Sequence, residues 1–514
     1  MLHFKKRGAF TRRASATNQT RFFQKAAGAF LFALPTVFTT ACVPHDRLHF
    51  PATPLHIQSN GALLFDTNNN GHADFAFATS GDSPALNTLA FDDDENGTPD
   101  RLFRLNEYAD DSVPHLAVLI DSIPFESIAK RYAADTRLSV FNPPVKVIAP
   151  YPSMSALCFT SILQAPPMPG PINRFYDPRP QHAQVNNLIS HRMKGHRNAW
   201  QQRLHYNLNY RDSGVAFIKP LPFMKVEFER ARQAFDASPD RDTLVYISST
   251  AAMLFKYGEP GLDMIFDEFN RFVAQVLYER RGAVKISVMS DHGHNLRETR
   301  WINIEKHLSQ SGFHITQKPR KPNDVFLEQD GLMTWFGVHT AKPDQVADSL
   351  LKLPEIETVA YLTGENVTLR TPAGHAVISK HNQQLTYRPV HGNPLSYTQT
   401  LCNIPLSPDQ WFAATADHHY PDAPARLWQA FHGGTHQTPQ VMVTLQDGAC
   451  AGIGWFQWFV DPQSSHGGLN QINSAAFAMT MTGRLNDKGP LRSREVMGLL
   501  LPNGPPRIVS ENRE

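Results

Sequence analysis

The chain has 514 residues, of which 41% are apolar and 19% are charged, and its formal net charge is +2. This composition excludes an intrinsically disordered chain, and the length allows two to four domains. Seven basic residues and no acidic residue lie in positions 1–41, so the remainder carries 42 basic against 47 acidic residues. Because no basic patch is evident, we predict no nucleic-acid partner.

The N-terminus predicts an export signal over residues 1–41. A basic lead precedes an uncharged run at 26–41, which is shorter than the ~20 residues of a membrane-spanning helix. Small residues before Cys42 resemble a bacterial lipoprotein cleavage box, although Thr39 stands where that box usually has Leu. We expect an exported, periplasmic or outer-surface protein with membrane attachment through a lipidated Cys42. An uncleaved anchor or ordinary cleavage near Ala41 would also place the rest outside the cytoplasm.

Three cysteines remain after Cys42, namely Cys158, Cys402 and Cys450. An odd number of thiols allows at most one disulfide within the chain, and the spacing does not match a metal-binding ribbon. The sequence leaves open whether Cys402 and Cys450 form a pair.

Two similar Asp- and Asn-rich segments lie in the region 42–110, after a short linker. Segments 66–74 and 92–100 both fit the pattern Asp-x-[Asn/Asp]-x-Asn-Gly-x-x-Asp, whose alternate side-chain oxygens can converge on Ca²⁺. They resemble the calcium loops of dockerins and thrombospondin type 3 repeats, but the twelfth position is Phe77 or Phe103 instead of the Glu of an EF-hand. We expect truncated loops that join short strands and hold structural calcium, with a solvated turn as the alternative. The candidate ligands are Asp66, Asn68, Asn70, Asp74, Asp92, Asp94, Asn96 and Asp100.

Three apolar runs, at 115–120, 145–149 and 284–290, lead into residues that can carry chemistry. Continuous apolar runs are typical of strands that are covered on both faces, and their alternation with helical segments predicts a parallel sheet. In such sheets ligands bind beyond the carboxyl ends of the strands. The residues beyond these strand ends are Asp121, Ser155, Asp291 and His292.

This set of side chains suits a transition-metal site. Carboxylates and neutral imidazole are ligands for Zn²⁺ or Mn²⁺. Ser155 stands where an apolar helical pattern begins, so its hydroxyl would lie at a helix N-terminus that favours an anion. Serine is also a common N-cap residue, and the two roles are compatible.

The rest of the chain supplies scaffold. We predict a helix at 221–235, a strand at 244–247, a long amphipathic helix at 261–280 and insertions at about 165–215 and 360–400, the second of them small and antiparallel. The C-terminal tail, 484–514, has no assigned chemistry.

Four motifs carry a resemblance to a known family. They are Leu119-Ile120-Asp121, Pro152-Ser153-Met154-Ser155, Ser290-Asp291-His292-Gly293 and His466-Gly467-Gly468-Leu469. In this order they resemble the alkaline phosphatase superfamily, and most closely its nucleotide pyrophosphatase/phosphodiesterase-type branch. The resemblance implies an α/β domain at 111–483 with a central, mostly parallel sheet flanked by helices.

The same resemblance implies a metal-dependent phosphatase, phosphodiesterase or phosphotransferase that acts on a phosphate ester. Ser155 matches the nucleophile, and one metal site matches Asp121, Ser155, Asp291 and His292. His466 matches the late histidine that normally serves a second metal. The remaining second-metal ligands align with Ala251 and Phe255, neither of which can bind a metal.

Three hypotheses therefore stand. The first is an enzyme with one metal ion, similar to the phosphoethanolamine and lipoteichoic-acid transferases of the same superfamily, with His294 and His466 taking over charge stabilisation. The second is a catalytically degenerate homologue that acts as a binding or structural surface lipoprotein. The third, from an unrelated class, is a calcium-binding surface lipoprotein in which the sheet is only a scaffold.

Overall fold

The computed structural model describes residues 47–79, 85–172, 174–177, 184–187, 198–452, 462–501 and 503–504. Cys42 and the export signal lie outside these ranges, so their roles stay predictions. Within these ranges, no helix combines the length and the apolar character needed to cross a bilayer.

Five short strands come first, strands and helices then mix as far as Ser290, and short strands dominate much of the second half. The strands are β1 (His56–Ile57), β2 (Leu63–Phe65), β3 (Phe75–Thr79), β4 (Leu86–Phe91), β5 (Arg101–Arg104), β6 (His115–Ile120), β7 (Val145–Ile148), β8 (Arg174–Asp177), β9 (Gln184–Asn187), β10 (Thr243–Ile247), β11 (Lys285–Ser290), β12 (Arg300–Trp301), β13 (His314–Ile315), β14 (Asp324–Glu328), β15 (Leu332–Met333), β16 (Trp335–Thr340), β17 (Ile356–Thr363), β18 (Asn366–Thr371), β19 (Gly374–His381), β20 (Gln384–Gly392), β21 (Pro405–Leu406), β22 (Val441–Leu445), β23 (Ala449–Gly452), β24 (Ala475–Thr480) and β25 (Leu491–Arg492). The helices are α1 (Phe125–Ala134), α2 (Ser155–Ile162), α3 (Tyr210–Ala216), α4 (Pro220–Asp236), α5 (Ser249–Tyr257), α6 (Glu259–Glu279), α7 (Ile304–Gln310), α8 (Pro343–Leu350), α9 (Pro408–Thr415), α10 (Ala423–Phe431), α11 (Gln471–Ser474) and α12 (Ser493–Leu500).

A six-stranded central sheet contains the three apolar runs as β6, β7 and β11. Its strand order is β10-β6-β11-β24-β7-β25. The neighbours β10–β6, β6–β11 and β7–β25 are parallel, whereas β24 is antiparallel to both of its neighbours. The structure therefore confirms an α/β fold with a central, mostly parallel sheet.

The two faces of this sheet bury separate apolar clusters, which explains why the strands read as continuous apolar runs. Along β6, Leu116, Val118 and Ile120 belong to one cluster, together with aromatic side chains of α4 and α6. Ala117 and Leu119 belong to the other, together with side chains of α2 and α12. Each residue of the strand is buried because both faces carry helices.

The N-terminal strands β1 to β5 form a separate antiparallel sheet in sequential order. The predicted Asp- and Asn-rich segments join β2 to β3 and β4 to β5, as expected for truncated loops between short strands. Phenylalanines of this sheet pack with Tyr278 of α6, including Phe75, whose ring centroid lies 5.2 Å away. The sheet is thereby attached to the central domain by aromatic packing.

The predicted antiparallel insertion is part of a larger sheet than the sequence indicated. A nine-stranded sheet runs in the order β13-β14-β16-β22-β17-β18-β19-β20-β21, and β17 to β20 are its consecutive hairpins. One further strand, β22, pairs with both β16 and β17, which lie about 80 to 100 residues earlier in the chain, so the size of the sheet depends on distant segments. Cys158, Cys402 and Cys450 are all buried and unpaired in the described chain, which answers the disulfide question.

Candidate metal centre

Asp121 is the first residue beyond β6, so its carboxylate lies at the carboxyl-terminal edge of the sheet. Its backbone N–H donates to the carbonyl of Ile247 at 3.2 Å, which continues the pairing with β10 by one residue. The next residue, Ser122, has a positive φ of 70°, a conformation that costs energy for a residue with a side chain. In this conformation the Ser122 N–H donates to Asp291 at 3.0 Å and its hydroxyl donates to Asp121 at 2.8 Å. The strained turn therefore connects the two carboxylates.

Asp291 and His292 follow β11, which is paired in parallel with β6. Ser290 fixes this turn, because its hydroxyl donates to the His292 carbonyl at 2.9 Å and accepts the Ile123 N–H at 2.8 Å. Gly293 is required next, since a Cβ there would lie 2.0 Å from the carbonyl oxygen of Ile472. The chain can therefore turn closely against α11 only with glycine at this position.

The imidazole of His292 has a defined orientation. Its Nδ1 lies 2.9 Å from the carbonyl oxygen of Gly293, so Nδ1 carries the proton and donates to that oxygen. The lone pair of Nε2 then faces Ser155 and the carboxylates. A backbone carbonyl that holds the second nitrogen in this way is a common partner of a metal-binding histidine.

Ser155 is the first residue of α2, after the Pro-containing turn that ends β7. Its hydroxyl oxygen lies 3.1 Å from Nε2 of His292 and 3.4 Å from each carboxylate oxygen of Asp121. The other serine of this motif, Ser153, lies two residues earlier and points elsewhere, because its hydroxyl donates to the carbonyl of Gly468 at 3.1 Å. Only Ser155 of the two reaches the strand-end cluster.

Asp121, Ser155, Asp291 and His292 form what we call the candidate metal centre. One ligand atom from each of Asp121, Asp291 and His292 lies within 4.8 Å of the other two. Nε2 of His292 is 3.3 Å from an oxygen of Asp291 and 3.8 Å from an oxygen of Asp121. Oδ2 of Asp291 is buried and has no hydrogen-bond partner among the described residues. This orphaned oxygen and the mixed oxygen and nitrogen donors fit a bound transition metal.

The electrostatics of the centre favour a cation. Burial, followed by the nearby carboxylate of Asp121, raises the pKa of Asp291 to about 7. Two carboxylates in a water-poor site repel each other, so one of them resists ionisation unless positive charge is present. A divalent cation would supply that charge and bind both residues in their ionised forms.

His466 lies against this centre but outside its three closest ligands. Its ring stacks on His292 at a centroid distance of 4.2 Å, and its Nδ1 donates to the carbonyl of Ser153 at 3.2 Å. The ring of His294 also lies near His466, at 5.2 Å between ring centroids. Burial lowers the pKa of His466 well below its usual value and that of His294 to about 3, so both rings are neutral. The structure thus places two neutral imidazoles beside the centre.

The position of the second metal's missing ligands is apolar. Ala251 and Phe255 are both buried on α5. Phe255 packs into a small cluster with Leu332 and Cys450, and its ring forms an edge contact with Phe217 at 5.8 Å. Ala251 and Phe255 themselves offer no donor for a second ion.

The Asp/Asn loops, residues 66–74 and 92–100, show a different arrangement of carboxylates. In the second loop, Asp92 accepts the backbone N–H groups of Asn96 and Gly97 at 3.1 and 2.8 Å. Ligand oxygens of Asp92, Asp94 and Asp100 lie within 4.8 Å of one another.

The first of these loops has the same local pattern. Asp66 accepts the N–H groups of Asn70 and Gly71 at 3.1 and 2.7 Å, and Asp74 accepts the N–H of Thr67 at 2.9 Å. The side-chain amides of Asn68 and Asn70 both donate to Glu95 of the second loop, the former at 2.6 Å. The two loops are therefore linked to each other through Glu95.

Sequence reasoning missed Tyr246, which contacts the centre directly. Its hydroxyl donates a short hydrogen bond to Oδ2 of Asp121. The sequence did offer one signal for this contact. Tyr246 is one residue before the end of a buried strand, where its polar hydroxyl needs a partner. Ser122 was missed for a different reason, because a positive φ at a serine has no sequence signature.

The comparisons with known proteins add low-identity structural neighbours. No protein-family model matches the sequence, and a search of curated proteins finds no match. An inactive variant of murine ectonucleotide pyrophosphatase/phosphodiesterase 5 in complex with AMP is similar at 11% identity and a TM-score of 0.41, covering 78% of this chain and 97% of that chain. Phosphonoacetate hydrolase from Sinorhizobium meliloti in complex with phosphonoformate is similar at 10% identity and a TM-score of 0.41, covering 79% and 96% respectively. At these values the likeness carries no argument about the site, which rests on the chain's own geometry.

Proposed function

We propose that this chain is an exported, metal-dependent phosphoesterase or phosphotransferase of the alkaline phosphatase superfamily. One observation carries the proposal. The ends of β6 and β11 place ligand atoms of Asp121, Asp291 and His292 within 4.8 Å of one another, and the turn after β7 places the Ser155 hydroxyl 3.1 Å from Nε2 of His292. A serine hydroxyl beside a transition-metal donor set is the arrangement expected for nucleophilic attack on a phosphate ester.

In this proposal, Asp121, Asp291 and His292 hold a single Zn²⁺ or Mn²⁺ ion, which Ser155 also contacts. When bound, such an ion lowers the pKa of a hydroxyl and polarises a phosphoryl oxygen. Ser155 would form an Oγ–P bond as the ester P–O bond breaks, with the hydroxyl proton passing to the departing oxygen to give the free alcohol. Water or an acceptor hydroxyl would then take the phosphoryl group and restore the Ser155 hydroxyl. The N–H groups at the start of α2 would face the phosphoryl oxygens.

His466 has a supporting role in the proposal. Its Nδ1 is occupied by the Ser153 carbonyl, so Nε2 is the nitrogen available to a ligand. We propose that His466 binds the metal or the developing charge on the leaving oxygen, and that His294 packs behind it. Since Ala251 and Phe255 supply no ligand, the proposal requires only one ion.

A metal-dependence assay tests this function. Purified protein is stripped with a chelator and assayed on p-nitrophenyl phosphate and bis-p-nitrophenyl phosphate with added Zn²⁺ or Mn²⁺. We expect bound metal near one ion per chain before stripping and turnover that returns with metal. Absence of a bound transition metal and of turnover on both esters would contradict the proposal and favour the catalytically degenerate binding protein, an alternative supported by the apolar residues Ala251 and Phe255.

Calcium binding by the Asp/Asn loops is a second, structural proposal. The convergence of Asp92, Asp94 and Asp100 supports it for the second loop. In the first loop, Asp66, Asn68, Asn70 and Asp74 present the same spacing of oxygen donors. We propose that Ca²⁺ rigidifies this N-terminal sheet. Separately, we propose that lipidation of Cys42 would attach the protein to a membrane.

A further inference from the structure

Tyr246 touches the candidate metal centre through one atom, its hydroxyl. The side chain is 8% exposed and lies on β10, where it is in register with Leu119 of β6. The strand pairing places the phenol beside Asp121, which follows Leu119 by two residues and lies just beyond the end of β6. The hydroxyl therefore meets a carboxylate that the sheet has already positioned.

The two oxygens of Asp121 have different partners. Oδ2 accepts the Tyr246 hydroxyl, whereas Oδ1 accepts the Ser122 hydroxyl at 2.8 Å and lies 3.8 Å from Nε2 of His292. Oδ1 is thus the oxygen nearer to His292, whereas the Ser155 hydroxyl lies 3.4 Å from both oxygens. A phenol that donates to Oδ2 would leave Oδ1 as the oxygen that Asp121 offers to an ion, an arrangement that suits four-coordinate Zn²⁺.

The ring of Tyr246 contacts the helix that carries the nucleophile. Its centroid lies 4.5 Å from that of Phe159, in an edge arrangement, and 6.0 Å from that of Trp200. Phe159 follows Ser155 by four residues on α2, so both lie on the same side of that helix. The Tyr246 side chain therefore contacts both the proposed metal ligand Asp121 and Phe159 on the helix that carries Ser155.

We propose that Tyr246 is a positioning residue that holds Asp121 as a one-oxygen ligand and sets its distance to Ser155. This inference rests on the proposed function, because it requires an ion at the candidate metal centre. Phenylalanine would fill the same space and keep the contact with Phe159, so the hydroxyl alone serves Asp121. Residues that orient a metal ligand contribute about 10- to 100-fold in metal affinity.

The test compares Zn²⁺ and Mn²⁺ affinity, by competition with a chelator, in wild type, Tyr246→Phe and Tyr397→Phe. Tyr397 is a matched control, since it is also buried and its hydroxyl donates to the carbonyl of Tyr420 at 2.6 Å. We expect Tyr246→Phe to weaken binding about 10- to 100-fold, and Tyr397→Phe to leave it unchanged. Wild-type binding with unchanged affinity in Tyr246→Phe overturns this inference alone. A wild type that binds neither ion overturns the proposed function as well.

A double-mutant cycle separates positioning from general packing. In an Asp121→Asn background, Tyr246→Phe should change metal affinity by less than about threefold, because the residue through which it acts is already altered. An equal loss in both backgrounds contradicts the inference. If Tyr246→Phe does not fold, a crystal structure of the metal-loaded wild type decides: Asp121 bound through Oδ1 alone supports the inference, and Asp121 bound through both oxygens overturns it.

Discussion

The candidate metal centre and the Asp/Asn loops both gather carboxylates, but they satisfy them differently. At the centre, Asp121 and Asp291 are 5% and 0% exposed, and one oxygen of Asp291 has no partner among the described residues. In the loops, backbone N–H groups donate to the carboxylates of Asp66 and Asp92. Asp92 is 7% exposed, but Asp94 and Asp100 of the same loop reach solvent.

This difference teaches what an ion would contribute in each place. Buried carboxylates that face each other remain unfavourable until a cation neutralises them, so metal and chemistry are linked at the centre. The loops already form their turns through their own hydrogen bonds, so an ion there adds stability to a shape that exists without it. The following experiments, from the largest expected effect to the smallest, test that contrast.

The largest effect is expected for Ser155→Ala. Loss of the nucleophile should lower kcat/KM for phosphate esters by at least about 10³-fold, as for nucleophile variants in other hydrolases. Bound transition metal should stay near the wild-type level, because three ligands remain. Ser153→Ala is the comparison, since Ser153 does not reach the centre. If Ser153→Ala lost more activity than Ser155→Ala, the assignment of Ser155 as the nucleophile would be wrong.

The next effect concerns Asp291→Asn, measured by chelator competition and by thermal unfolding in EDTA. Removing a ligand charge should weaken transition-metal binding by more than about 100-fold. The metal-free protein should be no less stable, because the variant also relieves repulsion with Asp121. Asp92→Asn, in a loop, should leave transition-metal binding unchanged. If both variants lost transition-metal affinity equally, the proposed difference between the candidate metal centre and the Asp/Asn loops would be contradicted.

Glu227 of α4 provides a third way of burying a carboxylate. It accepts the N–H groups of Ser248 and Ser249 at 3.1 and 2.7 Å, at the start of α5. Burial nevertheless raises the pKa of Glu227 from 4.5 to about 7. Hydrogen bonds from a helix N-terminus therefore offset only part of the cost of its burial.

This raised pKa predicts a pH dependence. Below pH 4.5 the carboxyl is protonated in both folded and unfolded chains, and between pH 4.5 and 7 mainly the unfolded chain ionises. Wild type should therefore lose about 3 kcal/mol of unfolding free energy relative to Glu227→Gln as the pH rises through this window. Denaturant unfolding at pH 5 and 8 measures this, with exposed Glu126→Gln as control. A difference between wild type and Glu227→Gln that is independent of pH would contradict the prediction.

The smallest effect is expected for calcium at the loops. Ca²⁺ at 100 times its dissociation constant should stabilise the fold by about 2.7 kcal/mol, seen as a higher melting temperature that EDTA reverses. Asp100→Asn should reduce this gain, whereas Asp291→Asn should retain it. An unchanged melting temperature with Ca²⁺ would show that the loops are solvated turns.

Much of the fold was predictable because its signals are local. The continuous apolar runs of β6 and β11 predicted buried parallel strands, and the long amphipathic pattern predicted α6. The antiparallel strand β24 was missed, because its sequence, with Ala475, Ala476 and Ala478, has little β-branched content. The size of the nine-stranded sheet was also missed, since its pairings join segments far apart in sequence.

The candidate site was likewise predictable only where its signals are local in sequence. Asp121, Asp291 and His292 were predictable because strand ends in such sheets carry ligands. Tyr246 was not, since its contact with Asp121 depends on the register of β10 against β6. The alignment of Ala251 and Phe255 indicated that the second metal's ligands are missing, and the structure shows Phe255 in an apolar cluster.

Anomalous diffraction from crystals grown with Zn²⁺ or Mn²⁺, collected at the absorption edge of that metal, tests the central claim most directly. The account predicts one strong peak among the side chains of Asp121, Ser155, Asp291 and His292. A protein loaded under these conditions that shows no peak among these four residues would contradict it.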